Sequence, residues 1–529
     1  MRKTFKKLAA FTLAATMLAG CSGSSTSATT AATTAAQKEN VAATEASATT
    51  AAPVVEDVDY KDEVVVGIAV AVDNMDPADT TKIYCKTMYM STHNTLISMD
   101  ENTLEFSPEL ATEWKWVDDV TLEMKLRDDV TFHDGSKFTA DDVVFTFERM
   151  VEEKRSNVST LESVVANDDY SITIKMKTPN MDWESIIADT QASIVSRAAC
   201  AADPEEGSII GTGPWKLDSW TAGDYVDLVR NEEYWGEVPK TEKLTLRYIA
   251  ENSARVIALQ NGEIDLCLEA SVQDAQYVAE DDNLELIQFP STSLYYLAFD
   301  VSEAPGDDQN LRLALAHCIN VEDIITVAAN GTGTPAITDW GKNTIGYYDG
   351  FGAYEYNPEL AKEYLEKSYP NGGAKIRFTC SSSLYATILS VIQEQARAIG
   401  LEIEIEQVES AAQSAMSKYE VADHEALAYG YGWDAGTIKA KQRYYPDSNN
   451  NKAIINNERI NELFDLGLAE QDVEKRKEYY KEIQEMNHEQ AWYIPLYYGE
   501  RIIGVNKDAS GYILTPSGSH DLSYLVVEE

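Results

Sequence analysis

A histidine next to an aspartate, with further acids one to two turns away, is raw material for general acid–base catalysis or for holding a metal ion. The segment VTFHDGSKFTADDVVFTFERM, residues 130–150, supplies such a set: His133 and Asp134, then Asp141, Asp142 and Glu148. Its surroundings point elsewhere. Asp134-Gly135 is turn chemistry. Thr139 stands where a helix N-cap belongs, Asp142 follows three residues later, and Asp141 and Asp142 favour the positive end of a helix whose inward stripe is Val143, Phe147 and Met150. These acids read as a turn feeding a helix, not as a catalytic or metal centre.

The other five histidines are His93, His317, His424, His488 and His520. His424-Glu425 and His488-Glu489 open like the helix of a zinc protease, but Ala428 and Trp492 stand one turn later and neither can be the second ligand. The run from Gly430 to Ala435 formally matches a dinucleotide loop. It places an indole and a carboxylate where a pyrophosphate needs close backbone approach, which excludes that use. With no phosphate loop, calcium loop or nucleophile elbow in view, neither a cofactor nor a metal is expected. The unusual resource is aromatic: 29 tyrosines and 9 tryptophans, clustered at Tyr295-Tyr296, Tyr429 to Trp433, Tyr444-Tyr445 and Tyr497-Tyr498. Such side chains make rigid amphipathic walls for a ligand cavity, although most tyrosines in any chain serve cores and interfaces.

The elements that would carry these groups have α/β character. Glu63 to Val70 reads as an apolar strand, and Leu122, Met124 and Leu126 alternate with charges as a half-buried one. From Lys375 to Gln407 the order is strand, helix (about 384–398), a stop at Gly400, then a strand with Leu401, Ile403 and Ile405 alternating with glutamates: a βαβ unit with parallel strands. Asn252-Ser253 and Asn357-Pro358 open further helices, and a helical region runs from about Glu458 to His488.

At 529 residues the chain exceeds what one core holds, so two or three domains are expected. Residues 1–20 pair a basic start (Arg2, Lys3, Lys6, Lys7) with a short apolar run, the pattern of a signal peptide. It ends in Leu18-Ala19-Gly20-Cys21, which resembles a bacterial lipobox and makes Cys21 the expected lipidation site. Residues 21–58, rich in Ser, Thr and Ala, cannot bury a core and read as a tether with a reach of roughly 30–35 Å. The other five cysteines, Cys85, Cys200, Cys267, Cys318 and Cys380, are dispersed and odd in number, and read as buried thiols with at most two optional bridges. A formal net charge of -45 repels nucleic acid and anionic headgroups.

Several blocks, in order over almost all of the chain, resemble the extracytoplasmic solute-binding proteins (family 5) of peptide-importing ABC transporters. They are Asn74-Met-Asp-Pro77, Leu110 to Trp114, Phe132 to Val143, Gly211 to Trp215 with Asn231 to Trp235, Asn261 to Asp265, Leu311 to Asn320, and Ile494-Pro-Leu496. The resemblance implies a two-lobed periplasmic-binding-protein clamshell of type II. Lobe I would span 59–300, with an inserted subdomain at about 100–205, lobe II 301–497, and residues 498–529 would return to lobe I. It also implies a monomeric, non-enzymatic receptor, lipid-anchored on the outer face of the bacterial cytoplasmic membrane, that passes a small peptide to permease subunits. An oligosaccharide, a metal chelate or an amino-acid conjugate would be the alternative solute, and a secreted hydrolase the alternative class. Gly430 to Asp434 matches the family segment in which an aromatic and an acid face the cleft, so Tyr431, Gly432, Trp433 and Asp434 are candidate ligand residues, with Asp434 receiving the peptide ammonium. Family members usually continue with a Pro-Asp-Pro-like run that is absent here. Ser291 to Phe299 resembles the lobe I strand that pairs with the ligand backbone and presents Tyr295 or Tyr296, and Arg443 is a candidate for the ligand carboxylate.

Overall fold

The computed structural model describes residues 58–79, 82–419, 422–433, 435–446 and 448–529. Cys21 and the tether, together with Asp434, lie outside the described residues.

The first half of the chain lays down β1 (Glu63–Ile68) and α1 (Ile83–Thr92), then a small antiparallel sheet of β2 (Ala111–Asp118), β3 (Thr121–Leu126), β4 (Leu161–Asp168) and β5 (Ser171–Met176), with α2 (Ala140–Glu152) packed on it. This sheet has the order β2-β3-β5-β4 and its own core, in which Leu122, Met124, Val143, Phe147 and Met150 meet Ile172, Ile174 and Trp183. The opening of α2 is the one the sequence proposes: the Thr139 backbone N–H donates to Asp142, whose other oxygen accepts from the Arg197 N–H. His133 is tied to the Gly213 carbonyl, Asp134 accepts from Ser136, and Gly135 adopts a left-handed φ of 84°, which its lack of Cβ permits. The His-Asp pair is scaffold.

The chain then adds β6 (Trp215–Thr221), β7 (Tyr225–Arg230), β8 (Lys243–Tyr248), α3 (Asn252–Gln260), β9 (Leu266–Cys267), α4 (Val272–Ala279) and the 16-residue β10 (Leu284–Phe299). The other half follows with α5 (Gln309–Cys318), β11 (Thr334–Pro335), α6 (Pro358–Ser368), β12 (Lys375–Cys380), α7 (Ser383–Ile399), β13 (Glu402–Gln407), β14 (Ala426–Gly432), α8 (Ile438–Tyr444), α9 (Glu458–Ala469), α10 (Val473–Gln490) and β15 (Tyr493–Asn506). The helical stretch expected from Glu458 to His488 is two helices, because Asp472 caps a second start by accepting from the Glu474 and Lys475 N–H groups.

A second, larger sheet has the order β13-β12-β14-β10-β15-β9-β1-β8-β7-β6, with β11 also on β15. β12 pairs parallel with β13 around α7, the βαβ unit read from the sequence. Among the described residues, β10 and β15 are the strands that pair with both halves of this sheet or link them. At one end they carry β9, β1 and β8, whose cores contain Val64, Val66, Leu244 and Leu266 on one face and Val256, Leu259 and Val278 on the other. At the other end they carry β14 and β12, with Leu311, Ile376, Phe378 and Ile392 on one face and Trp340, Trp433, Tyr444 and Phe464 on the other. A fold with separate cores above and below a two-strand ribbon is two-lobed. Cys85, Cys200, Cys267, Cys318 and Cys380 are all buried free thiols.

Candidate functional site

The ribbon leaves a gap. β10 is flanked on both sides where it carries Tyr295 and Tyr296, by β14 from Ser293 to Phe299 and by β15. It therefore has no free edge for a ligand backbone, contrary to the pairing expected for Ser291 to Phe299. β15 does have one. On its side away from β10, β9 pairs at Gly504 and Val505, the Ala270 N–H reaches the Ile502 carbonyl, and β11 pairs at Tyr497 and Tyr498. Between these neighbours, among the described residues, no strand pairs with Gly499, Glu500 or Arg501 on that side. A cavity of about 310 Å³ occupies this notch, bounded by Asn252, residues 269–273, Glu500, Arg501 and Ile502 from one lobe and Thr332 from the other. It lies at the carboxyl ends of the parallel strands β1 and β9, where open α/β sheets bind ligands.

Four charged groups surround the cavity without pairing. Arg255, fully buried behind its wall, spends its guanidinium on the carbonyls of Ile249, Ala250 and Glu269 and on the Asn252 side chain. Half-buried Arg501 donates to the Pro516 and Ser517 carbonyls. Glu269 accepts one hydrogen bond, from the Tyr84 hydroxyl at 2.9 Å, and Glu500 makes none among the described residues. Glu500 and Arg501 are neighbours on a strand and so leave it on opposite faces, which keeps them from neutralising one another.

Next to the notch stands an aromatic wall. Tyr295 stacks on Tyr497 with centroids 4.7 Å apart and lies 6.2 Å from Tyr385 of α7, which in turn stacks parallel to Tyr429. A Cβ on Gly430 would stand 2.7 Å from the Tyr385 hydroxyl, so the glycine lets α7 approach β14. Desolvation raises Tyr295 above the usual phenol range and pushes Tyr385 up to about 12, so both present neutral hydroxyls at any physiological pH.

The residues proposed from the sequence separate into two sets. Tyr295, half-buried, belongs to this wall, whereas Tyr296, 1% exposed, points into the opposite core. Tyr431 is half-buried and Gly432 exposed at the end of β14, where the Gly432 carbonyl accepts from Lys439. Trp433 is buried: its N–H holds the Thr292 carbonyl and its indole stacks on Trp340 at 6.0 Å. Arg443 has no exposed surface. Its guanidinium lies 4.2 Å from the Tyr296 ring and 4.3 Å from that of Tyr493, with Asp339 3.4 Å away. Arg443, the candidate for the ligand carboxylate, points inward because α9 and α10 cover α8, so it supports Tyr296 and Tyr493 instead. Burial raises the Asp339 carboxyl against the opposing charge of Arg443 and the Tyr444 hydroxyl, 2.6 Å away.

Directly after β14 the chain meets the subdomain of β2 to β5. Asp182, from the subdomain carrying β2 to β5, is 1% exposed and accepts from the Thr437 hydroxyl at 2.6 Å, from the Thr437 N–H and from Arg476 of α10. The Met181 N–H donates to the Leu468 carbonyl beside it. Sequence reasoning missed Asp182, Glu269, Glu500 and Arg501. Glu269 carried a usable signal, since it follows a short apolar strand at the end where α/β sheets gather ligands; the others belong to no local pattern.

Residues 105–453 match the family model for bacterial extracellular solute-binding proteins, family 5. The glutathione-binding protein GsiB of Escherichia coli K12 is 26% identical over 474 residues, covering 86% of this chain and 92% of its own. The substrate-binding protein CtaP of Listeria monocytogenes superposes with a TM-score of 0.80 at 24% identity over 89% of this chain and all of its own. DppA of Helicobacter pylori, solved with the peptide STSA, gives a TM-score of 0.71 at 24% identity, covering 89% and 99% of the two chains.

Proposed function

Because this chain belongs to the bacterial extracellular solute-binding proteins of family 5, which are receptors and not enzymes, we propose that it captures a small peptide between its lobes and hands it to the permease of an ABC importer. The observation that carries this reading is the notch beside β15: a free strand edge three residues long, a cavity of about 310 Å³ and charged groups of both signs. That volume lies at the low end of ligand sites, which suits a short peptide. A free edge offers main-chain hydrogen bonds to an extended guest whatever its side chains. Lobe I is assigned to 59–300 with 498–529, including the insert at about 100–205, and lobe II to 301–497. Closure of two such halves on a hinge buries the guest and then releases it.

Asp434, with Tyr431 and Gly432 before it, is proposed to face the same cleft and receive the peptide ammonium. Tyr296, Trp433 and Arg443 act behind them as the support of that loop. Cys21 is proposed to carry lipid on the outer face of the membrane, so that residues 21–58 let the receptor swing. A neutral sugar would suit the tyrosine wall but would leave the charges round the notch unanswered, at the cost of desolvating them.

Native mass spectrometry for a co-purified solute, followed by calorimetry with di- and tripeptides, tests the reading. Asp434→Asn is expected to weaken a peptide by more than about tenfold and to leave an uncharged ligand nearly untouched. Affinity for peptides equal in the two proteins removes the ammonium role, and no binding of any peptide removes the peptide reading.

A further inference from the structure

A lysine is seldom carried inside a protein without an acid, because taking its charge out of water is costly unless a partner answers it. Lys452 is such a lysine. It is 5% exposed, and its Nζ donates to one acceptor, the Ser417 hydroxyl at 2.8 Å. Among the described residues no carboxylate pairs with it, and the charged neighbour that acts on it, Lys418, has the same sign. Of the other titratable groups around it, Tyr429 presents its ring, and His424 turns its two ring nitrogens to the carbonyls of Met416 and of Lys452 itself. Desolvation, reinforced by Lys418, lowers the Lys452 ammonium to about 8. The loop that carries it is fixed. Asn451 bonds the Tyr444 and Tyr445 carbonyls and both backbone polar groups of Ile455, and Ile454 takes a left-handed φ of 54°, which a β-branched residue adopts only where its surroundings impose it.

This charge has a direction. β12 pairs with β14 at Ala426 and Leu427, and beyond them Gln413 of the short helix Ser410–Met416 donates to the Ala428 carbonyl. Along that flank the Lys452 Nζ lies 5.5 Å from the centroid of the Tyr429 ring, and Tyr429 stacks on Tyr385, which leads to Tyr295. Tyr385 and Tyr429 are half-buried and stand at the carboxyl ends of the parallel strands β12 and β14, where α/β sheets receive their guests. A cation against a ring draws on the electron density that a second cation would need, and its field is little screened where water is excluded. Resting on the peptide reading above, we infer that Lys452 sets the charge preference of the aromatic wall: a guest side chain lying against Tyr385 and Tyr429 is favoured when acidic, tolerated when neutral and rejected when basic. Lys452 is too buried to touch the guest. It acts through Tyr429, as a positioning residue, and the guest's ammonium, assigned to Asp434, takes no part.

Alanine tripeptides carrying one Glu, Gln or Lys at the first, second or third position test this by calorimetry with the full chain. At one position Glu is expected to bind at least about tenfold tighter than Lys, with Gln between them. A net charge of -45 would by itself favour the basic probe, so the expected order runs against it. Lys452→Met is expected to bring Glu and Lys within about threefold, and Lys452→Arg, which keeps the charge, to retain the difference. Raising the pH from 7 to 9 is expected to shrink the ratio in the parent, as Lys452 loses its proton, and to leave it unchanged in Lys452→Arg; titration of the probes' own amino end cancels in the ratio. A lysine with a merely structural role would give no such pH profile. Should Lys452→Met melt differently from the parent by circular dichroism, the pH series of the parent and of Lys452→Arg decides. Glu and Lys probes bound equally at every position, or a ratio indifferent to pH and to Lys452→Met, overturns the role of Lys452 and leaves peptide binding standing. Absence of binding by every tripeptide overturns both.

Discussion

Asp182, from the subdomain of β2 to β5, meets Arg476 of α10 in an ion pair buried on both sides, and its removal has a calculable consequence. Asp182 and Arg476 have side chains 1% and 5% exposed, so Asp182→Ala would strand a guanidinium away from water. Breaking one partner of a buried pair costs about 3–5 kcal/mol. In a rigid single-core protein that cost would appear as lost global stability. On the hinged receptor proposed above a cheaper escape exists: the subdomain of β2 to β5 would draw back from α9 and α10 and let water reach Arg476. The penalty should then fall on the closed state, and a ligand that needs closure should bind roughly 10²- to 10⁴-fold more weakly. Calorimetry with a bound peptide measures this, and small-angle scattering reads the loss of compaction. The double variant Asp182→Leu with Arg476→Met removes both charges and is expected to recover most of the affinity, short of the contribution of the Thr437 N–H, which loses its acceptor while the hydroxyl keeps that of Tyr480. Affinity within threefold of the parent in Asp182→Ala, with unchanged compaction on ligand addition, would refute the reasoning, as would strict additivity of the two substitutions.

Arg443→Met is expected to lower stability by about 3–5 kcal/mol, because fully buried Asp339 keeps only Tyr444 and Asn487 as donors; urea denaturation measures it, and Arg443→Met with Asp339→Asn should recover part. His520, 1% exposed and held neutral as the acceptor of the Thr515 N–H, is depressed to about 3, chiefly by burial. Its folded value lies below the unfolded one near 6.5, so the unfolded chain binds the extra proton between these limits and stability falls as pH falls through that window. At pH 5 the loss from this group is about 2 kcal/mol, and His520→Gln should show a pH 7-to-5 drop in urea stability smaller by that amount.

Much of the scaffold was legible because it rests on local rules. The turn at Asp134-Gly135, the cap at Thr139 and Asp142, the βαβ unit and the Asn357-Pro358 helix start are each decided within a few residues, by φ preferences, orphan N–H groups and side-chain period. The cleft was legible only in part. Ser291 to Phe299 does lie in the long strand β10, between β14 and β15, but which of its neighbours leaves an edge open depends on where β9 stops and β11 begins, from residues far away in the chain. Tyr295 and Tyr296 could not be separated from the sequence, since a strand sends neighbours to opposite faces and the choice of face belongs to the packing.

The amino-acid order alone settles the α/β elements, the resemblance to a binding-protein family and the aromatic richness of the loop at 429–433, since these depend on residue type and spacing. Tertiary structure alone decides that Arg443 is a buried prop, that Asp182 meets Thr437 and Arg476, and that Glu269, Glu500 and Arg501 surround one cavity. The physical reason is common to all three: the pairing or isolation of a charge depends on distance and on the water excluded around it, and both are properties of segments brought together from across hundreds of residues.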